Sequence, residues 1–459
     1  MQYNSLRASP GILLFGLFVF LLMSAPRANI KVGPVPVYFI DLLLLVLILM
    51  ASQLPRSGVR RPFTGPVTFL FAIAIISEVI GMAKFGTIQE SVYIIFRTAL
   101  SFSVFFIVGR FVQSTKDIEY VLYAVAVALL SSSALMILTS LPMTRAQVAD
   151  VVFSIRLLEP AQEDVSEILL GSGDSGIRGR TLVGVSIIGA TFINIGWPLV
   201  ALLLRWPWPI GLWRLFGIAG CLIAPLAVFM SYSRGPILGS ILIILIVIVF
   251  GLRHVRRAVV FPVMIGVMVV TTVGVNSELF FVDRLTKRLD ATFEAPLEDE
   301  QESERLLAYF EPFEHMVESP SFIFFGEGIT VRYASSARYS AQFGQATHAV
   351  FAMAYYSYGL IGAIVYLWLL MKAIVFAGSI SLRRQNSLAG LLAQPLFLSC
   401  IAMVPWAAFG HAIISMPRGS AMFFLVIGLV STLVQVRAPS VQVPQRSRSA
   451  YVPRHNPAF

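Results

Sequence analysis

The chain has 459 residues, of which 57% are hydrophobic and only 13% charged, with a formal charge of +10. A water-soluble protein of this size carries about a quarter charged residues, so a soluble globular domain is excluded. The positive charge does not indicate nucleic-acid binding, because it lies mainly in short turns between apolar runs, where it reports topology and anionic lipid.

The first apolar run, 11–23, follows Arg7 and looks like a signal peptide ending near Ala25. Further runs such as 37–50, 237–250 and 423–434 come after it, so it reads as an uncleaved first helix. A crossing helix takes about 20 mostly apolar residues, and lipid forces every spanning backbone to satisfy its own polar groups. No alternating strand pattern of the outer-membrane kind is present. The expected fold is therefore all-α, a polytopic membrane helical bundle of about 12 transmembrane helices. In chain order they are placed at 10–25, 36–53, 66–84, 91–111, 117–140, 180–204, 210–232, 236–251, 257–276, 346–378, 391–412 and 418–436. The chain divides into 1–276 with nine helices, a large loop at 277–345, three helices in 346–436, and a Pro-, Ser- and Arg-rich tail at 437–459. The composition of that tail predicts disorder.

Lys and Arg are retained on the cytoplasmic side of short loops. Arg56, Arg60 and Arg61, then Arg110 and Lys116, Arg205 and Arg214, Arg253, Arg256 and Arg257, and Arg383 and Arg384 fall on alternate turns. This pattern predicts an inner-membrane protein with both termini cytoplasmic. Loops 141–179 and 277–345 then lie outside, and they hold 6 and 13 of the 24 acidic residues. Cys221 and Cys400 sit within apolar segments and read as core packing.

Charges inside apolar helices are costly and mark function by default. Asp41, Glu78, Arg97, Arg234, His348, His411 and Arg418 all fall in the outward third under this topology. They are expected to converge on one polar cavity opening outward. Structural roles compete with that reading. Asp41 suits a helix cap, Glu78 and Arg97 a pair across adjacent helices, Arg418 a snorkelling cation and His411 an interfacial histidine. Arg234 differs, because Ser233-Arg234-Gly235-Pro236 is a tight turn between two very apolar helices. A fixed guanidinium there suits bidentate phosphate binding.

The loop at 277–345 is too long for an idle connection. Residues 304–317 show helical spacing of Leu306, Leu307, Phe310, Phe313 and Val317, with Arg305 at the start. Pro320 ends that helix and Phe325-Gly326-Glu327-Gly328 makes a turn. Arg332, Tyr333, Arg338 and Tyr339 then lead to Thr347-His348. Glu298-Asp299-Glu300 reads as a solvated charge run more readily than a metal site, and His315 and Glu318 lack a zinc-ligand set.

These pieces resemble the O-antigen ligase and O-antigen polymerase superfamily. The resemblance is carried by Ser233-Arg234-Gly235 opening a helix, Arg305, the amphipathic helix, Pro320, Gly326-Glu327-Gly328, His348 and Tyr358-Gly359-Leu360-Ile361-Gly362, over about 230–375. Two positions depart from the family pattern: Ala349 stands where an Asn usually follows the histidine, and the sixth helix, with Asn194, lacks the usual Pro-Asn pair. The resemblance implies a fold similar to the C-type glycosyltransferases, with a large, partly helical periplasmic loop. It implies transfer of glycan from an undecaprenyl-diphosphate carrier to lipid A-core or to a carrier-linked glycan, in O-antigen or exopolysaccharide biosynthesis. No cofactor, metal or nucleotide sugar is implied.

On that chemistry Arg234 and Arg305 would hold the diphosphate, assisted by Arg97 or Arg418, because the departing charge needs cationic donors. His348 would act as base or acceptor-orienting residue, since an imidazole is largely neutral near pH 7. Glu78 or Asp41 would orient an arginine or replace the base, with His411 in support. Two other classes are weighed against this. A transporter of a lipid-linked oligosaccharide or small anion would place its charges near the midplane. A structural subunit of an envelope assembly would not account for Arg234, Arg305 and His348 together.

Overall fold

In the computed structural model the described residues are 9–25, 29–32, 35–54, 61–86, 88–140, 144, 147–148, 180–183, 186–204, 211–252, 255–256, 260, 323–329, 350–384, 387–409, 414 and 416–434. Among them run eleven helices of 15 residues or more, α1 Pro10–Ser24, α2 Phe39–Gln53, α3 Thr64–Phe85, α4 Ile88–Phe111, α5 Thr115–Ser140 and α6 Ser186–Ala201. The remaining five are α7 Gly211–Met230, α8 Arg234–Val249, α9 Val350–Arg383, α10 Leu388–Phe409 and α11 Pro417–Thr432. Seven of them (α3 to α7, α9 and α10) are long and apolar enough to cross a membrane, while α1, α2, α8 and α11 are shorter apolar helices. Eleven of the twelve expected positions thus hold a helix. The other, 257–276, lies almost entirely outside the described residues.

Local chemistry explains several ends. Ser9 caps α1, its hydroxyl accepting from the Ile12 N–H at 3.3 Å, with Pro10 at the first helical position. Gly86, at φ +69°, closes α3 in the left-handed conformation that glycine adopts without steric cost.

Several boundaries shift by a few residues from the sequence reading, and two shifted helix starts have a clear local cause. The second helix starts at Phe39 and not at 36, because Val35–Tyr38 forms strand β2, antiparallel to β1 (Asn29–Val32), in the register Asn29↔Tyr38 and Val32↔Val35. A Val-Pro-Val-Tyr run favours extended backbone, since its β-branched and aromatic residues suit a strand and the residue before a proline is biased away from the helical region. The sixth helix starts at Ser186 and not at 180. Arg180 is held extended against the end of α5: its N–H donates to Thr139 Oγ1 at 2.7 Å, and that hydroxyl donates to the Arg180 carbonyl at 2.9 Å.

The helices touch in the cyclic order α1, α5, α7, α8, α10, α9, α3, α4, α2 and back to α1. This ring closes around α6 and α11, and every residue from 188 to 201 and from 418 to 432 is buried. Leu49, Leu215, Val249 and Val375 are 65%, 58%, 66% and 65% exposed on the ring helices. Apolar surface on this scale, around helices of spanning length, is stable against lipid and not against water. The protein is a helical integral membrane protein. Cys221 and Cys400 are buried free thiols, as core packing requires.

Candidate functional site

The turn between α7 and α8 is built from small hydroxyl residues. Ser231 N–H closes α7 on the Ala227 carbonyl at 3.1 Å, and the Ser233 N–H donates to Ser231 Oγ at 3.2 Å. Tyr232 sits between them at φ +49°, where non-glycine residues are rare and strained; among the described residues no other non-glycine residue has positive φ. Ser233 makes no side-chain cap bond to α8, its hydroxyl donating instead to the Ser231 carbonyl at 3.2 Å. Arg234 therefore occupies the first helical position, exposed, at an uncapped helix N-terminus whose dipole adds to its own charge.

Asn194 of α6 secures that first turn. Its amide donates to the Pro236 carbonyl and its side-chain oxygen accepts from Ser240 Oγ at 2.7 Å, all of it buried. Gly239 makes this approach possible, since a Cβ there would stand 3.0 Å from Asn194 Nδ2. Sequence reading attached no role to Asn194. A buried Asn in an apolar helix was the available signal, because a polar side chain there requires partners.

A second site lies where α1, α2, α4 and α11 meet. Asp41, Arg97, Ser101 and Arg418 line one cavity with Phe18, Leu44 and other apolar residues. Asp41 Oδ2 stands 3.4 Å from Arg97 Nε, and the Arg97 guanidinium lies 4.4 Å from the Tyr38 ring centroid and 5.6 Å from that of Tyr93. Asp41 occupies the third helical position after Tyr38, the N-terminal cap of α2, where an acid favours the open N–H groups of the first turn. It is thus both the helix-end acid and the arginine partner, two roles that the sequence left as alternatives. Arg418 donates to the Ala25 carbonyl at 2.6 Å and is 8% exposed. Its side chain is held inside the bundle, where residues 418–432 of α11 are buried.

Glu78 does not pair with Arg97. It is 1% exposed, and its carboxyl oxygen accepts from the Ile329 N–H. The segment 323–329 lies between α3 and α9: the Glu327 N–H donates to the Tyr356 carbonyl at 2.9 Å and the Gly328 N–H to the Ser357 carbonyl at 3.1 Å. Lys84 forms an ion pair with Glu327. Those two carbonyls are available because α9 breaks at Gly359, with φ +75° and ψ +175°. The last turn before such a break has no intrahelical donors of its own.

The structure thus brings Asp41, Arg97 and Arg418 together, sets Glu78 in a separate contact with 323–329, and places Arg234 on α8, which packs on α6, α7 and α10. Among the described residues, neither Glu78 nor Arg234 lines the cavity shared by Asp41, Arg97 and Arg418. Arg305, His348 and His411 lie outside the described residues, as do Glu298-Asp299-Glu300, His315, Glu318 and the amphipathic stretch 304–317. Among the described residues no group of three metal-ligating side chains occurs.

A ring of apolar helices with uncapped, arginine-bearing and glycine-turned segments at helix ends defines a polytopic membrane protein with polar chemistry at those ends. Residues 219–367, spanning most of α7, all of α8, the 323–329 segment and the first half of α9, match the family model described as O-Antigen ligase. This match supports placement in the O-antigen ligase and polymerase superfamily, and with it glycan transfer in general. No curated protein matches the chain.

Proposed function

We propose that the protein transfers or polymerises glycan from an undecaprenyl-diphosphate carrier at the periplasmic face of the inner membrane, in O-antigen or exopolysaccharide biosynthesis, in the manner of C-type glycosyltransferases. The observation that carries this reading is Arg234: an exposed guanidinium at the uncapped N-terminus of α8, on a strained turn anchored by Asn194. Held donors of fixed direction stabilise a departing diphosphate better than mobile ones. Arg305 completes the diphosphate contact and His348 serves as base toward the acceptor hydroxyl. Arg97 and Arg418 assist, with Asp41 orienting Arg97. The acceptor is lipid A-core or a second carrier-linked glycan, and the reaction uses no metal.

Arg234→Lys keeps the charge and loses the planar fork. It is expected to abolish long polysaccharide in cells, and normal chain length in that strain would remove the bidentate role. A deletion strain separates the two acceptors. Loss of all lipid A-linked polymer identifies a ligase, whereas single repeats still attached identify a polymerase.

A further inference from the structure

The buried carboxyl of Glu78 is not used by the chemistry above, and its surroundings assign it another task. Its oxygen is engaged by the Ile329 N–H. A Cβ on Gly328 would fall 2.7 Å from Glu78 Cδ and 2.9 Å from Glu78 Cα, so the turn is seated directly on α3 at that residue. Gly328 also has φ +81°, a conformation glycine alone adopts freely. On the opposite side, a Cβ on Gly326 would fall 2.4 Å from the Tyr356 carbonyl oxygen and 2.6 Å from the Tyr358 nitrogen. The turn is a wedge whose two faces are glycine backbone, one against α3 and one against α9.

What the wedge holds is the outer part of α9. Gly359 divides that helix into 350–358 and a longer stretch to Arg383, and a break of this kind leaves the direction of the shorter piece to outside contacts. The Glu327 and Gly328 N–H groups supply such contacts, through the Tyr356 and Ser357 carbonyls. The chain of bonds runs from Glu78 through Ile329 and Gly328 to the last turn before the break. Lys84, on the same helix as Glu78, fastens the wedge a second time through Glu327.

We propose that Glu78 is a positioning residue whose carboxyl oxygen, acting through the Gly326-Glu327-Gly328 wedge, sets the direction of the short N-terminal piece of α9, residues 350–358, across the break at Gly359. The proposal rests on the glycan-transfer reading only for its consequence. His348 stands two residues before Val350 in sequence, so the direction of 350–358 governs where the acceptor-side group is delivered. The role needs a hydrogen-bond acceptor and not a titrating acid, so Glu78→Gln preserves it and Glu78→Ala removes it.

The full-length protein in detergent is the sample for three measurements on wild type, Glu78→Gln and Glu78→Ala. Amide exchange is followed at residues 327–329. A spin-label distance is taken between positions 351 and 371, which straddle Gly359. Turnover is measured as release of undecaprenyl diphosphate from a purified carrier-linked oligosaccharide. Wild type and Glu78→Gln are expected to give protected amides and one narrow distance. Glu78→Ala is expected to lose protection, broaden the distance, and lower kcat by about 100-fold with KM little changed, the usual effect of misplacing a reacting group by about 1 Å. Protection and a narrow distance retained in Glu78→Ala would overturn the proposal, as would equal loss in Glu78→Gln, or full turnover once the distance has broadened. If wild type itself releases no undecaprenyl diphosphate, the functional reading falls, and the exchange and distance measurements alone decide whether Glu78 sets the helix.

Discussion

Asp41 and Arg97 meet across α2 and α4 with 3.4 Å between Oδ2 and Nε, both side chains largely withdrawn from solvent. Two tyrosine rings lie within cation–π range of the Arg97 guanidinium and make the cation less dependent on water. Removing one member of a buried pair leaves the other uncompensated, at a cost of about 3–5 kcal/mol, whereas replacing both with apolar groups is far milder. Asp41→Ala is therefore expected to lower the unfolding temperature strongly, and Asp41→Ala combined with Arg97→Leu less than the sum of the single changes. Thermal unfolding of the four proteins in one detergent gives the coupling, and additive effects would mean that the pair is not a unit.

Asn194 both donates to the Pro236 carbonyl and accepts from Ser240. Asn194→Asp keeps the shape and loses the donor, so it sets a carboxylate against a carbonyl inside the bundle. Leaving such a buried group unsatisfied costs about 1–3 kcal/mol. Asn194→Asp is expected to reduce stability and polysaccharide chain length more than Asn194→Ser. Equal chain-length profiles in the two strains would show that α8 needs no such anchor.

Tyr232 supplies the left-handed residue that turns α7 into α8. Asn tolerates this conformation and β-branched residues do not. Tyr232→Asn is expected to support polymer formation. Tyr232→Val should cost about 1–3 kcal/mol of strain and displace Arg234. The measurement is membrane abundance alongside glycan length, and a Val variant indistinguishable from the Asn variant would refute the strain argument.

Gly328→Ala forces a methyl group against Glu78 at φ +81°, and Gly326→Ala forces one into the Tyr356 carbonyl. Neither neighbour has room to give, because both involve backbone at close range. Each is expected to destabilise by about 1–3 kcal/mol, through strain at a special backbone position. Gly65→Ala, which meets nothing within 4 Å, is the control and should be silent. Melting curves on the purified variants settle the order.

Most of the helical frame was legible in composition and punctuation. Long apolar runs separated by Arg-bearing turns have one structural solution in lipid, so eleven helices could be placed to within a few residues. Ser233-Arg234-Gly235-Pro236 announced a turn by its residue types, and Gly326-Glu327-Gly328 another. Hydropathy was weaker at 35–38, where an apolar strand and an apolar helix start look alike until pairing is known.

What only the packed structure decided is which charge answers which. Glu78 and Arg97 lie on adjacent helices at comparable depth, and the sequence made them natural partners. Depth along a helix follows from counting residues. The direction a side chain faces depends on which neighbours surround that helix, and an almost uniformly apolar segment carries little trace of it. Packing α3 against α9 turned Glu78 to the glycine wedge, and packing α4 against α2 and α11 turned Arg97 to Asp41. The residue types were written in the chain; their partners were set by the azimuth each helix takes in the ring.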